Sequence, residues 1–200
     1  MTKRPTGNWI LAASAFTCFT AAHAHHSMAM FDVQKSIWLK GTVVDYAPYN
    51  PHARITLEQR GADGKVQRWV VEGPNTNRLE RMHVDNTFLK PGDVIEVCGF
   101  PWRQEYAQPV ASNSGTPPRP AMHIHMVVMP DGHMRLFGPY GKLDNCVRPN
   151  DTTQAWVDFL NTDPLGRQAW CNGLKLTSVP STAPRGFVDT VNGSLASQCD

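Results

Sequence analysis

Between Ile37 and Phe137, short runs of β-branched and aromatic residues alternate with turn chemistry, and their order restricts the chain to few architectures. The run Ile37 to Tyr46 ends at Pro48-Tyr49-Asn50-Pro51. From His52 to Gln59 the alternation is clean. Ala53, Ile55 and Leu57 share one face, and His52, Arg54, Thr56 and Glu58 the other, the period of a half-buried strand. Gly61-Ala62-Asp63-Gly64 is hairpin chemistry and leads into a third strand, Val66 to Glu72. Asn75 to His83 predicts a short helix with Asn75 as its N-cap. Lys90-Pro91-Gly92-Asp93 then turns into a strand from Val94 to Phe100. A Pro/Gly/Ser-rich stretch over 101–120 is longer than an ordinary connection. Beyond it come a strand from Met122 to Met129, a turn at Pro130-Asp131-Gly132 and a short strand from His133 to Phe137.

Three strands, a helix and two or more strands is the order of a small OB-like β-barrel. The expected fold is therefore mainly β, an OB-like barrel with one short helix, with a small β-sandwich as the rival. Past Gly141 the pattern becomes helical. Thr152 to Asn161 has helical spacing with Asp151 or Thr152 as cap, and Asp163-Pro164 opens a second helix through Trp170 and Cys171. A weaker helical pattern runs from Val188 to Leu195. The sequence thus predicts a small helical C-terminal extension, in which Trp156 and Trp170 serve as packing residues.

The first residues set the compartment. Lys3 and Arg4, an apolar run from Trp9 to Thr20 and the small-residue pattern Ala22-x-Ala24 together read as a secretory signal peptide. The expected organisation is a signal over 1–24, a barrel over 25–140 and an extension over 141–200, in a periplasmic or secreted protein. Removing residues 1–24 leaves 17 Lys+Arg against 17 Asp+Glu, a balance that argues against a nucleic-acid partner. No later segment is apolar enough to span a bilayer, so a soluble mature chain is expected. Cys98, Cys146, Cys171 and Cys199 remain, and an even number in an exported chain predicts two disulfides. The favoured pairing is Cys146–Cys171, closed by a hairpin of helices, with Cys98–Cys199 tying back the C-terminus.

Several motifs recur in a fixed order. They are His25-His26-Ser27, Phe31-Asp32, Lys40-Gly41-Thr42-Val43, Asn50-Pro51-His52, Trp69-x-x-Glu72-Gly73, Leu89-Lys90-Pro91-Gly92-Asp93 and Pro130-Asp131-Gly132. Over about residues 25–138 the chain resembles the exported bacterial domain-of-unknown-function family 6152. The resemblance implies a periplasmic β-rich domain with no established activity. His123-x-His125 and the cysteine-bearing extension depart from the family pattern.

The remaining chemistry is carried by histidines. His123-Ile124-His125 on a strand puts two imidazoles on one face, about 7 Å apart along the chain. His25 and His26 would begin the mature chain, where the α-amine and an imidazole can chelate together, and His52 opens a strand. Met28, Met30, Met122, Met126, Met129 and Met134 flank these positions. Imidazole with thioether neighbours favours copper, with zinc second. The candidate metal ligands are therefore His25, His26, His52, His123 and His125. His83 and His133 read as exposed turn positions. Glu72 reads as a solvated strand-end carboxylate rather than a general base, and no catalytic motif is present. The leading expectation is an exported, non-catalytic binding protein for a transition metal. The alternative is a metal-free interaction or small-ligand module that uses the barrel mouth, Trp102 and Tyr106. A copper-dependent redox enzyme built on His25 is the third reading.

Overall fold

A computed structural model of the chain describes residues 28–104, 120–137, 143–173, 175–177, 179, 181–196 and 199. Six strands form one sheet: β1 (Ile37–Ala47), β2 (Arg54–Arg60), β3 (Val66–Glu72), β4 (Val94–Pro101), β5 (Ala121–Val128) and β6 (Met134–Leu136). Strand pairs β1–β2, β2–β3, β1–β4 and β4–β5 are antiparallel. A parallel pairing of Val70–Glu72 with Ala121–His123 joins β3 to β5. The circuit 1-2-3-5-4-1 is therefore closed, with a helix between β3 and β4, which is the OB arrangement the strand order predicted. The second half of β5 carries β6 on its free edge.

Local chemistry explains most element boundaries. The helix α1 (Thr76–Arg81) is capped by Asn75, whose side-chain oxygen accepts from the Arg78 N–H at 3.0 Å. In the C-terminal part, α2 (Thr153–Thr162) begins at Thr152, whose Oγ1 accepts from Ala155 N at 3.1 Å. The helix α3 (Pro164–Cys171) follows at once from Asp163, and α4 (Phe187–Ala196) packs with it around α2. Ala53, Ile55 and Leu57 are buried as their alternation predicted, and they share one continuous core with Val43, Val71, Ile95, Val97, Ile124 and Met126. The same core runs on into the helices through Trp156, Leu160, Trp170 and Phe187. Trp156 meets Phe159 and Phe187 edge-on, at 5.8 and 6.2 Å between ring centres. Both tryptophans are packing residues, as expected.

Two disulfides form, but not in the expected pairs. Cys98 of β4 bonds Cys146, and Cys171 at the end of α3 bonds Cys199. The reason lies in the short 3-10 turn Leu143–Cys146, which seats against β5, with Leu143, Cys146 and Val147 all in the core. Cys146 is thereby committed to the barrel before α2 begins, and Cys171 is left to Cys199, which follows α4.

Beyond the shared core and the Cys98–Cys146 bond, one carboxylate ties the helices to the barrel. Asp163 is buried; its Oδ1 accepts from Leu165 N and Gly166 N, capping α3, at 3.0 and 2.8 Å. Its Oδ2 accepts from Leu136 N of β6 at 3.0 Å and from Arg135 Nε at 3.2 Å. A second link runs through Arg148, which pairs with Glu96 of β4 and with Asp151 and lies over the Trp38 ring at 4.4 Å.

Candidate functional site

Both histidines of the His123-x-His125 pair are buried, at 7 and 0 % exposure, which is unusual for a residue type that most often keeps a wet edge. The register of β4 against β5 shifts between Cys98 and Gly99, so that His125 is an extra residue bulged out of the ladder. Bulges re-aim side chains. Gly99 permits this one, since a Cβ there would lie 2.0 Å from the His123 carbonyl oxygen. The two imidazoles end 6.1 Å apart between ring centres, close to the spacing expected on a strand.

The pair is roofed by aromatic rings that lie outside the main core. Phe31 meets His123 edge-on at 5.3 Å, and Phe100 meets His125 at 4.1 Å. Phe31 is held in place by backbone contacts with the end of β4. It bridges Trp102, Asp32 N donates to the Pro101 carbonyl at 2.9 Å, and Arg103 N donates to the Met30 carbonyl at 2.9 Å. Trp102 is therefore part of this roof, half-buried and 6.3 Å from Phe31, instead of belonging to a free loop. Tyr106 lies outside the described residues.

The electrostatics follow from the enclosure. Burial pushes the His123 pKa down to about 4, helped by His125 and His52, so the ring is neutral near pH 7. His123 Nδ1 makes no hydrogen bond among the described residues. Across the parallel seam His123 stands opposite Glu72, which in turn stands opposite Arg54. Glu72 differs from the solvated carboxylate expected: it is half-buried, and burial raises its pKa against the opposing pull of His52 and Arg54. His52 is half-buried, with Nδ1 3.4 Å from the Gly73 carbonyl.

Of the five candidate ligands, the structure thus brings His123 and His125 together, with His52 beyond Glu72 in the same neighbourhood. His25 and His26 lie outside the described residues. Among the described residues no group of three or more His, Cys, Asp or Glu is arranged to hold a metal ion. His83 and His133 are exposed, as expected. The sequence reading missed the roof. Phe31 was visible only as part of a motif, and nothing local says that it folds onto a strand more than ninety residues away.

Residues 14–110 match the profile of DUF6152, a family of unknown function, the family that the sequence motifs resemble. The matched stretch stops before His123 and His125. No curated protein matches the chain. Solved structures of similar shape include the mitochondrial single-stranded DNA binding protein Rim1 from S. cerevisiae, at 6 % identity and a TM-score of 0.33, over 48 % of this chain and 92 % of that one. The S. pombe Stn1-ten1 complex aligns at 16 % identity and a TM-score of 0.30, over 68 % of this chain and 78 % of that one. The protein priB from Ralstonia solanacearum aligns at 16 % identity and a TM-score of 0.26, over 48 % and 97 %. Among the described residues no helix is long and apolar enough to cross a membrane.

Proposed function

We propose that this chain is an exported binding protein for a transition metal, copper before zinc, with His123 and His125 as the inner ligands and His25, His26 and His52 as further donors. The observation that carries this reading is the pair of buried imidazoles 6.1 Å apart beneath Phe31 and Phe100. A metal–nitrogen bond of about 2.0–2.1 Å puts each ring centre about 3.2 Å from the ion, so two rings on one ion lie at most about 6.4 Å apart. The observed separation falls inside that limit. A neutral ring is the form that binds a metal, and His123 Nδ1 is buried without a hydrogen-bond partner among the described residues.

The further donors come from chain connectivity. His26 precedes Phe31 by five residues, a reach of at most about 17 Å, and Phe31 already touches His123. Two disulfides support an oxidising compartment, where the signal peptide would deliver a chain that starts at His25. The test is native mass spectrometry of the processed chain with copper or zinc. One ion per chain is expected for the unaltered protein, and none for the double variant His123→Gln, His125→Gln with its near-UV spectrum intact. Equal metal uptake by both proteins would overturn the reading.

A further inference from the structure

A second histidine-bearing place lies at the seam of barrel and helices and is open where the first is roofed. A cavity of about 530 Å³ is walled by Phe88, Met129 and Met134 and edged by His83, His133 and Arg135. Its size is that of a small-molecule site, which spans about 300–1,000 Å³. Arg135 is fixed there from two sides: Nε donates to Asp163 and Nη2 to the Met82 carbonyl at 3.1 Å, while its guanidinium carbon stands 5.6 Å above the Phe88 ring. Its Nη1 has no hydrogen-bond partner among the described residues. Asp163, itself on the wall, pairs with Arg135 through Nε alone and divides its two oxygens among that group and three backbone N–H groups. Asp131, the other acid on the wall, is engaged by His133 at 3.0 Å.

His83 adds an independent sign. It follows the C-cap of α1 with a φ of 54°, a left-handed position where glycine is the usual residue. Nothing in the helix end requires an imidazole; its own N–H makes the Glu80 contact that any residue would make. His83 lines both this cavity and a neighbouring one of about 500 Å³. Backbone strain retained in a bulky residue is typical of binding sites.

We propose that this cavity binds a small organic anion, a carboxylate with an aryl or alkyl body. The acid group would take Arg135 Nη1, the body would lie between Phe88 and the two methionine side chains, and His83 would close one end. The proposal is independent of any metal at His123. It is tested on the full processed chain carrying 13C-methyl methionine, with a chelator present and 2-naphthoate as probe. The Met129 and Met134 methyl signals should shift saturably with naphthoate and not with the neutral 2-naphthalenemethanol. His133→Glu, at an exposed position, should weaken binding about threefold, the scale of an exposed charge term. His83→Gly should unfold at higher denaturant yet bind less tightly, a combination that a purely structural histidine would not give. Absence of a saturable shift, an equal response to the neutral alcohol, or unchanged affinity in both variants would overturn the proposal.

Discussion

The barrel and the helical C-terminal part share one core but are held by different means. In the barrel, β1 to β5 are each paired with two neighbours through the 1-2-3-5-4-1 circuit, and the loss of one side chain leaves many backbone bonds in place. The helices have no such ladder to the barrel. Their attachment is concentrated in the Cys98–Cys146 bond, in Asp163, in the Arg148 pairs and in shared apolar packing. Distributed backbone pairing tolerates local damage, and a single buried carboxylate serving four donors does not. The two parts should therefore fail differently.

The largest effect is expected at Asp163. Asp163→Ala strands the N–H groups of Leu136, Leu165 and Gly166 and the Arg135 guanidinium, at a cost of about 3–5 kcal/mol in denaturant unfolding. A cost below about 1 kcal/mol would show that packing alone attaches the helices. The disulfides come next. On the chain-entropy model the 28-residue separation of Cys171 and Cys199 is worth about 3–4 kcal/mol, and removing that bond by Cys171→Ala with Cys199→Ala should loosen α3 and α4 first. Cys98 and Cys146 are fully buried and Cys171 and Cys199 are exposed, so mild reductant should open the C-terminal bond while thiol counting still finds the barrel bond intact.

A pH titration separates the two parts by a different route. The folded-state pKa of His123, about 4, lies below the usual 6.5, so the folded chain binds fewer protons between these values. Its contribution is fully present above pH 6.5 and is lost as pH falls toward 4, about 3 kcal/mol in all. His125, His52 and Arg78 lower the ring's pKa as burial does, against a backbone hydrogen bond at Ile124 that raises it, and the raised Glu72 pKa works oppositely and offsets part of the loss. With chelator present, His123→Gln should flatten this slope, and an unchanged slope would move the acid sensitivity elsewhere. The smallest effect is expected on the barrel's outer surface. Arg68 and Glu58 form an exposed 2.8 Å pair between β2 and β3, and Arg68→Ala should cost about 0.5 kcal/mol or less by the same denaturant assay.

The sequence was most informative where structure is decided by neighbours along the chain. The alternation of His52 to Gln59, the Asn75 and Thr152 caps and the Asp163-Pro164 helix start all appear where the residues place them. The spacing of His123 and His125 was legible for the same reason, since a strand fixes which side chains share a face. The burial of that pair was not legible, because it depends on Phe31 arriving from the N-terminal side and Phe100 from β4. Glu72 looked like a strand end in the sequence and became half-buried only because β5 closes the barrel against β3.

Local chemistry, then, determined the order of elements, the inward residues, the caps and the presence of two disulfides. Tertiary structure alone decided which cysteines meet, that Asp163 caps a helix and pins it to β6 with the same carboxylate, and that Arg135, Phe88 and His83 share one cavity wall. The physical reason is range. Periodicity, propensity and capping act within a few residues, whereas these contacts join segments tens of residues apart and exist only once the parallel β3–β5 seam and the Leu143–Cys146 turn have fixed the chain's path.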